Sequence, residues 1–159
     1  MGNGAGGDHA IPDGREAARV TAKRFLEQAY WLDKRIERRA EEAARMRAKL
    51  EKSNSHISDM PRGGNGSDWT DADIKVMELE ERIRQEIARL CELKRQIGEA
   101  IDAVEDGRYR TLLELRYRNY YTFEKIAVEM NYSYMQVHRL HKAALEAVRV
   151  PKEVAQDGI

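Results

Sequence analysis

The segment 134–142 gathers side chains that could read the bases of a nucleic acid. Arg139 can donate two hydrogen bonds to guanine in the major groove of DNA, and Gln136 can form a matched donor–acceptor pair with adenine. Helical periodicity would place the polar side chains of this segment on one exposed face. The candidates for contact with base edges are Tyr134, Gln136, His138 and Arg139.

Cations and hydroxyl groups around this segment suit the phosphate backbone of DNA. Between Arg108 and Arg149, eight Lys or Arg side chains stand against four Glu, so this stretch carries +4 and the rest of the chain −4. Such an excess indicates an anionic partner. Phosphate contacts position a protein without specifying a sequence, and free N–H groups at a helix start also suit phosphate. The phosphate candidates are Arg116, Arg118, Thr122, Lys125, Ser133 and Lys142.

Presenting these side chains requires a break in the helix, and the sequence contains one at Asn131-Tyr132-Ser133. Asn tolerates left-handed backbone angles better than most residues, and Ser133 is a typical N-cap. Thr122 is predicted to cap the preceding helix in the same way. The pattern therefore predicts a helix-turn-helix, in which the second helix projects its first turns while its other face packs on a support.

Two long amphipathic helices are predicted to precede this motif, over residues 15–52 and 70–105. Apolar residues alternate by three and four along both, which is typical of a coiled-coil seam. The loop 53–69 is rich in Ser, Asn, Gly and Pro, so the helices should fold back as an antiparallel hairpin. Thr70 or Asp71 can cap the second helix.

The apolar stripes of this hairpin are wider than one partner helix covers. Arg39 and Glu86 are charged members of the two seams, and Ile74, Ile87 and Ile101 widen the second stripe. The width predicts self-association through the hairpin.

The predicted fold is therefore all-α, with a long, coiled-coil-like antiparallel helical hairpin followed by a three-helix C-terminal motif. We divide the chain into a flexible tail at 1–14, the hairpin at 15–106, the helix-turn-helix domain at 107–150 and a second tail at 151–159.

Several classes of protein are disfavoured by the composition. Among 159 residues, Cys91 is the only cysteine, so an internal disulfide is impossible and a cytoplasmic location is expected; Cys91 itself should be a small core residue. No apolar run is long enough to cross a bilayer. The sequence has no Ser/His/Asp constellation, metal-ligand spacing or phosphate-binding glycine loop, so we expect no enzyme, cofactor or metal. His138 and His141 are expected to be solvated or to face DNA.

The segment "LLELRYRNYYTFEKIAVEMNYSYMQVHRLHKAALEAV" resembles region 4 of bacterial sigma factors. Matching positions are Leu115-Arg116-Tyr117, residues 122–127, Ser133, Val137, Leu140 and Ala144-Leu145. Over about residues 20–148, the chain is similar to phage and prophage proteins of unknown function that are akin to the ArpU and RinA late-transcription regulators. The resemblance implies a phage or prophage transcription regulator acting in the bacterial host. At the recognition helix, Tyr134-Met135 and His138-Arg139 depart from the usual sigma residues.

The leading interpretation is a sequence-specific transcription regulator that binds double-stranded DNA. RNA polymerase and a second copy of the chain are further candidate partners, and no membrane is expected. One alternative is the small subunit of a phage terminase, which also joins a helix-turn-helix to a helical hairpin and recognises packaging DNA. The other is a coiled-coil interaction protein with no DNA role.

Overall fold

The computed structural model describes residues 14–55 and 70–152, in which every regular element is helical. The all-α prediction is confirmed. The elements are α1 (Gly14–Ser55), α2 (Asp71–Asp102), α3 (Gly107–Leu113), a π-helical turn (Glu114–Arg118), α4 (Phe123–Met130) and α5 (Tyr134–Ala147). The predicted tails and most of the predicted loop, residues 1–13, 56–69 and 153–159, lie outside the described residues.

The described residues form two compact units, and the division differs from the predicted boundary at residue 106. Unit 1 contains residues 14–27 and 96–152, whereas unit 2 contains residues 28–55 and 70–95. The division falls within α1 and α2 because the start of α1 belongs with the C-terminal helices. There, Arg19 forms an ion pair of 2.8 Å with Glu146 of α5.

Unit 2 is an antiparallel pair of helices. Three ion pairs show this direction, because the residue numbers increase along α1 while those of their partners on α2 decrease. The pairs are Asp33 with Lys94, Arg39 with Glu86, and Arg47 with Glu80. The predicted seam of α1 is buried at Ala29, Leu32, Ile36 and Ala43. On α2, Val76, Leu90 and Leu93 are buried. Burial of these stripes supplies the hydrophobic free energy that holds the pair together.

The charged seam positions pair with one another. Arg39 and Arg35 both contact Glu86 Oε1, at 2.5 and 3.1 Å, and the Glu86 side chain is only 16% exposed. The Arg39 side chain is half-buried, and its guanidinium pairs with the largely buried Glu86 carboxylate.

Other apolar side chains of unit 2 are exposed. Ile74 and Ile87, which were predicted to widen the apolar stripe beyond one partner helix, are each 45% exposed, and Met77 and Trp31 are exposed as well. The prediction that Cys91 is a core residue is wrong, because its thiol lies on the exposed face of α2. Cys91 follows buried Leu90 directly, and the rotation of the helix between successive residues turns its side chain toward the exposed face.

Unit 1 contains the three-helix C-terminal motif. Its innermost side chains are Leu112 of α3, Ile126 of α4 and Val137 of α5, all fully buried. The first helix of this motif is α3 followed by the π-helical turn, in which the N–H of Asn119 donates to the carbonyl of Glu114 at 3.1 Å. The wider turn ends the helix before the linker to α4.

Helix caps in the described residues satisfy the free N–H groups of the helix starts. Thr70 caps α2, since its hydroxyl accepts from the N–H of Asp73 at 3.2 Å. Asp106 caps α3 by accepting from the N–H groups of Arg108 and Tyr109. The hydrogen bonds from Arg108 lower the pKa of Asp106 to about 2.

Candidate nucleic-acid interface

The predicted turn between α4 and α5 is present. Asn131 adopts left-handed backbone angles (φ 54°, ψ 45°), and its N–H donates to the carbonyls of Ala127 and Val128. The N–H of Tyr132 donates to the carbonyl of Ala127 at 2.9 Å. This is a Schellman-like helix end, in which the left-handed residue reverses the chain direction and satisfies terminal carbonyls. The interruption therefore lets α5 start in a new direction.

A capping box holds the start of α5. The N–H of Gln136 donates to Ser133 Oγ at 3.2 Å, and the N–H of Ser133 donates to Gln136 Oε1 at 2.8 Å. The predicted cap at Ser133 is confirmed. Gln136 Oε1 thus already accepts one hydrogen bond, while its Nε2 group pairs with no described residue, and base reading by Gln136 stays a prediction. The spacing Ser-x-x-Gln is a recognised capping-box signal, so sequence reasoning could have found this pairing.

The exposed face of α5 carries two apolar and two cationic side chains. Tyr134 and Met135 occupy the first turn and are 48% and 63% exposed. Arg139 and Lys142 follow along the helix, both exposed, and neither pairs with another described residue. Within the described structure these cations are therefore available to a ligand from outside the chain.

His138 differs from its predicted role as an exposed base reader. Its ring lies between two aromatic rings, with centroids 4.4 Å from Tyr134 and 4.4 Å from Phe123. It is half-buried, and its Nε2 atom is inaccessible and unpaired among the described residues. The His138 ring therefore packs against the Tyr134 ring, and its Nε2 atom is not available to a base edge.

His141 was expected to be exposed, and this prediction is wrong. It is 7% exposed, and its Nε2 lies 2.7 Å from the Tyr117 hydroxyl. Burial, together with the positive charges of Arg116 and Lys23, lowers the pKa of His141 to about 4. Burial also raises the pKa of Tyr117, so a neutral phenol and a neutral imidazole share this hydrogen bond. The pair satisfies two polar groups inside unit 1.

Arg116, predicted as a phosphate contact, is half-buried and makes two contacts within unit 1. Its Nη1 donates to the carbonyl of Tyr121 at 2.8 Å, and its guanidinium lies 4.6 Å from the Phe123 ring centroid. These contacts fix the linker before α4 and extend the stack formed by Phe123, His138 and Tyr134. Arg116 therefore supports the exposed face of α5, and its role as a phosphate contact stays a prediction.

The remaining phosphate candidates differ in availability. Lys125 is exposed and its Nζ lies 3.4 Å from the Tyr121 ring centroid, a cation–π contact that leaves donors for another ligand. Arg118 contacts Asp102 at 3.4 Å and Glu114 at 3.9 Å, so a phosphate would compete with two carboxylates. The hydroxyl of Thr122 caps α4 by accepting from the N–H of Lys125, at 3.3 Å. Lys125, Arg139 and Lys142 are therefore the most accessible of the predicted contacts.

The described residues hold no group of three or more metal-ligating side chains and no helix apolar and long enough to cross a membrane. Neither the curated proteins nor the solved structures contain a match to this chain. Residues 49–149, which include most of unit 1 and all of α2, match a family model described as a protein of unknown function, DUF1492. The chain belongs to the DUF1492 family.

Proposed function

We propose that this protein is a sequence-specific, DNA-binding transcription regulator of a phage or prophage, with α5 as its recognition helix. The observation that carries the proposal is the two-sided character of α5 after a left-handed break. Its first turns expose Tyr134, Met135 and Arg139, while Val137 and Ala144 are fully buried. A helix supported in this way can enter the major groove.

The distribution of charge supports DNA over a neutral partner. Arg139, Lys142 and Lys125 are exposed cations, and none of them forms an ion pair with a described residue. Glu146, the acidic residue of α5, is neutralised by Arg19. The exposed face of α5 is therefore cationic, as phosphate binding requires.

The proposed role in transcription rests on the resemblance to sigma-factor region 4 and to late-transcription regulators. RNA polymerase is accordingly a second proposed partner. We also propose that unit 2 mediates self-association, because exposed apolar side chains such as Trp31, Ile74 and Met77 would be covered by a second copy.

Selection from a random duplex library with the full chain tests the proposed function. We expect recovery of a common sequence, followed by binding to that duplex that weakens steeply as salt concentration rises. Three phosphate contacts would give a slope of about −3 in log affinity against log salt. A library that shows no enrichment, or an affinity independent of salt, would exclude DNA recognition by this protein.

A further inference from the structure

The first turn of α5 exposes large apolar side chains at consecutive positions. Met135 is 63% exposed and Tyr134 is 48% exposed. Neither exposure helps the fold, because water-accessible apolar surface does not stabilise the folded state. At the leading edge of a proposed recognition helix, such surface is suited to an apolar feature of the ligand.

Two of the four base-reading candidates have a polar atom that is already engaged or inaccessible. Gln136 Oε1 accepts from the N–H of Ser133 at 2.8 Å, which uses one of its two lone pairs. His138 Nε2 is inaccessible. Arg139 presents unpaired guanidinium donors, and the Gln136 amide N–H groups and the Tyr134 hydroxyl are also unpaired within the described residues. Met135 and the Tyr134 ring add exposed apolar surface to these polar groups, so apolar contact is available for base discrimination at this turn.

The apolar feature of the major groove is the 5-methyl group of thymine. Met135 has a flexible, polarisable thioether that adapts to such a group. Tyr134 is less adaptable, since its ring packs 4.4 Å from the His138 ring. The nearby exposed cations Arg139 and Lys142 favour a phosphate-bearing ligand over an apolar protein surface.

We propose that Met135, with Tyr134 beside it, is a specificity-determining residue that recognises the 5-methyl group of thymine in the major groove. This inference rests on the proposed function and adds the chemical basis of its specificity. The protein then prefers sites with thymine opposite the first turn of α5, and Arg139 contributes the directional hydrogen bonds.

Replacement of thymine by deoxyuridine tests this, because it removes only the methyl group. The duplex recovered by selection is prepared with deoxyuridine at each thymine in turn, and affinities are measured for the full-length parent, Met135→Ala, Met135→Leu and Lys142→Gln. Burial of one apolar carbon corresponds to about fourfold in affinity. We expect the parent to lose about fourfold at one or two thymines. Met135→Ala should bind the thymine duplex more weakly and no longer distinguish it from the deoxyuridine duplex.

The other variants separate apolar contact from general weakening. Met135→Leu should retain the methyl preference, whereas Lys142→Gln should weaken both duplexes equally and keep their ratio. A recovered site whose thymines can all be replaced without loss, or a Met135→Ala protein that still discriminates, would overturn methyl recognition while leaving sequence-specific binding intact. Absence of any enriched duplex would overturn both proposals. Thermal melting by circular dichroism confirms that the Met135 variants are folded.

Discussion

At the scale of single residues, two histidines three positions apart on α5 have different roles. His138 lies between Tyr134 and Phe123 near the surface, whereas His141 is buried against the Tyr117 hydroxyl. Their positions on the helix explain the difference in burial, because His141 lies on the face of α5 that packs against Tyr117. A neutral, buried imidazole makes the stability of unit 1 sensitive to acid.

The pKa of His141, about 4 in the folded protein, predicts a specific pH window. In the unfolded chain a histidine takes a proton near pH 6.5. Between about pH 6.5 and 4, the His141 imidazole is protonated only in the unfolded state. Its contribution to the free energy of unfolding therefore falls as the pH falls through this range, and it is constant at lower pH. The loss is about 3 kcal/mol. Denaturant titrations from pH 7.5 to 4 measure it.

His141→Gln provides the control for this window. We expect it to reduce stability at pH 7 and to flatten the pH dependence between pH 6.5 and 4. Carboxylates with a lowered pKa, such as Asp106 and Glu124, lose their contribution from about pH 5 downward, so the slope above about pH 5 is the one assigned to His141. An unchanged slope in His141→Gln would show that another group is responsible.

At the scale of elements, the three-residue turn sets the direction of α5. Asn131 supplies the left-handed step, Tyr132 packs against the core and Ser133 closes the capping box with Gln136. Each residue contributes locally, and together they determine which side chains α5 exposes.

Substitutions at Asn131 test the left-handed step. Asn131→Val should lower the free energy of unfolding by about 1–2 kcal/mol or more, because a β-branched side chain is strained at positive φ. Asn131→Gly should stay close to the parent, since glycine adopts this conformation freely. Chemical denaturation compares the two, with Glu129→Val as a control for adding valine to an exposed helical site. Equal stability of the Val and Gly variants would argue against a strained position.

Much of the fold was predictable from sequence because it depends on local signals. The caps at Thr70, Thr122 and Ser133, the bend at Asn131 and the seam of α1 all follow from residue type and short spacing. Other features depend on distant partners. Burial of His141 requires Tyr117 on another helix, and engagement of Arg116 requires the carbonyl of Tyr121 after a π-helical turn that no short motif signals. The exposed face was thus predicted approximately, and its supporting residues were not.

At the scale of the whole molecule, the two units suggest a division of roles. Unit 1 holds the proposed DNA-binding surface, and unit 2 carries the paired seams and an exposed apolar set of Trp31, Ile74, Met77 and Ile87. We propose that this set joins copies of the chain, which would allow two recognition helices to bind one DNA site.

Light scattering of the full chain tests self-association. We expect a mass above that of one 18.4 kDa chain at micromolar concentration. The double substitution Met77→Glu and Ile87→Glu should reduce the mass to that of a monomer, because each buries a charge in the contact. Val128→Glu places a charge on an exposed residue of unit 1 and should leave the mass unchanged. A monomeric parent would contradict the proposal, and a ring of many copies would favour a terminase role.

The most direct test of the central claim is the affinity for the selected duplex after charge reversal on α5, compared with an equal change elsewhere. Arg139→Glu with Lys142→Glu alters the exposed face of α5, while Arg82→Glu with Arg89→Glu changes net charge by the same amount on exposed positions of α2. We predict that the α5 pair weakens binding about a hundredfold or more and that the α2 pair leaves it close to the parent. Equal losses for both pairs, or parental affinity in the α5 pair, would contradict recognition of DNA by α5.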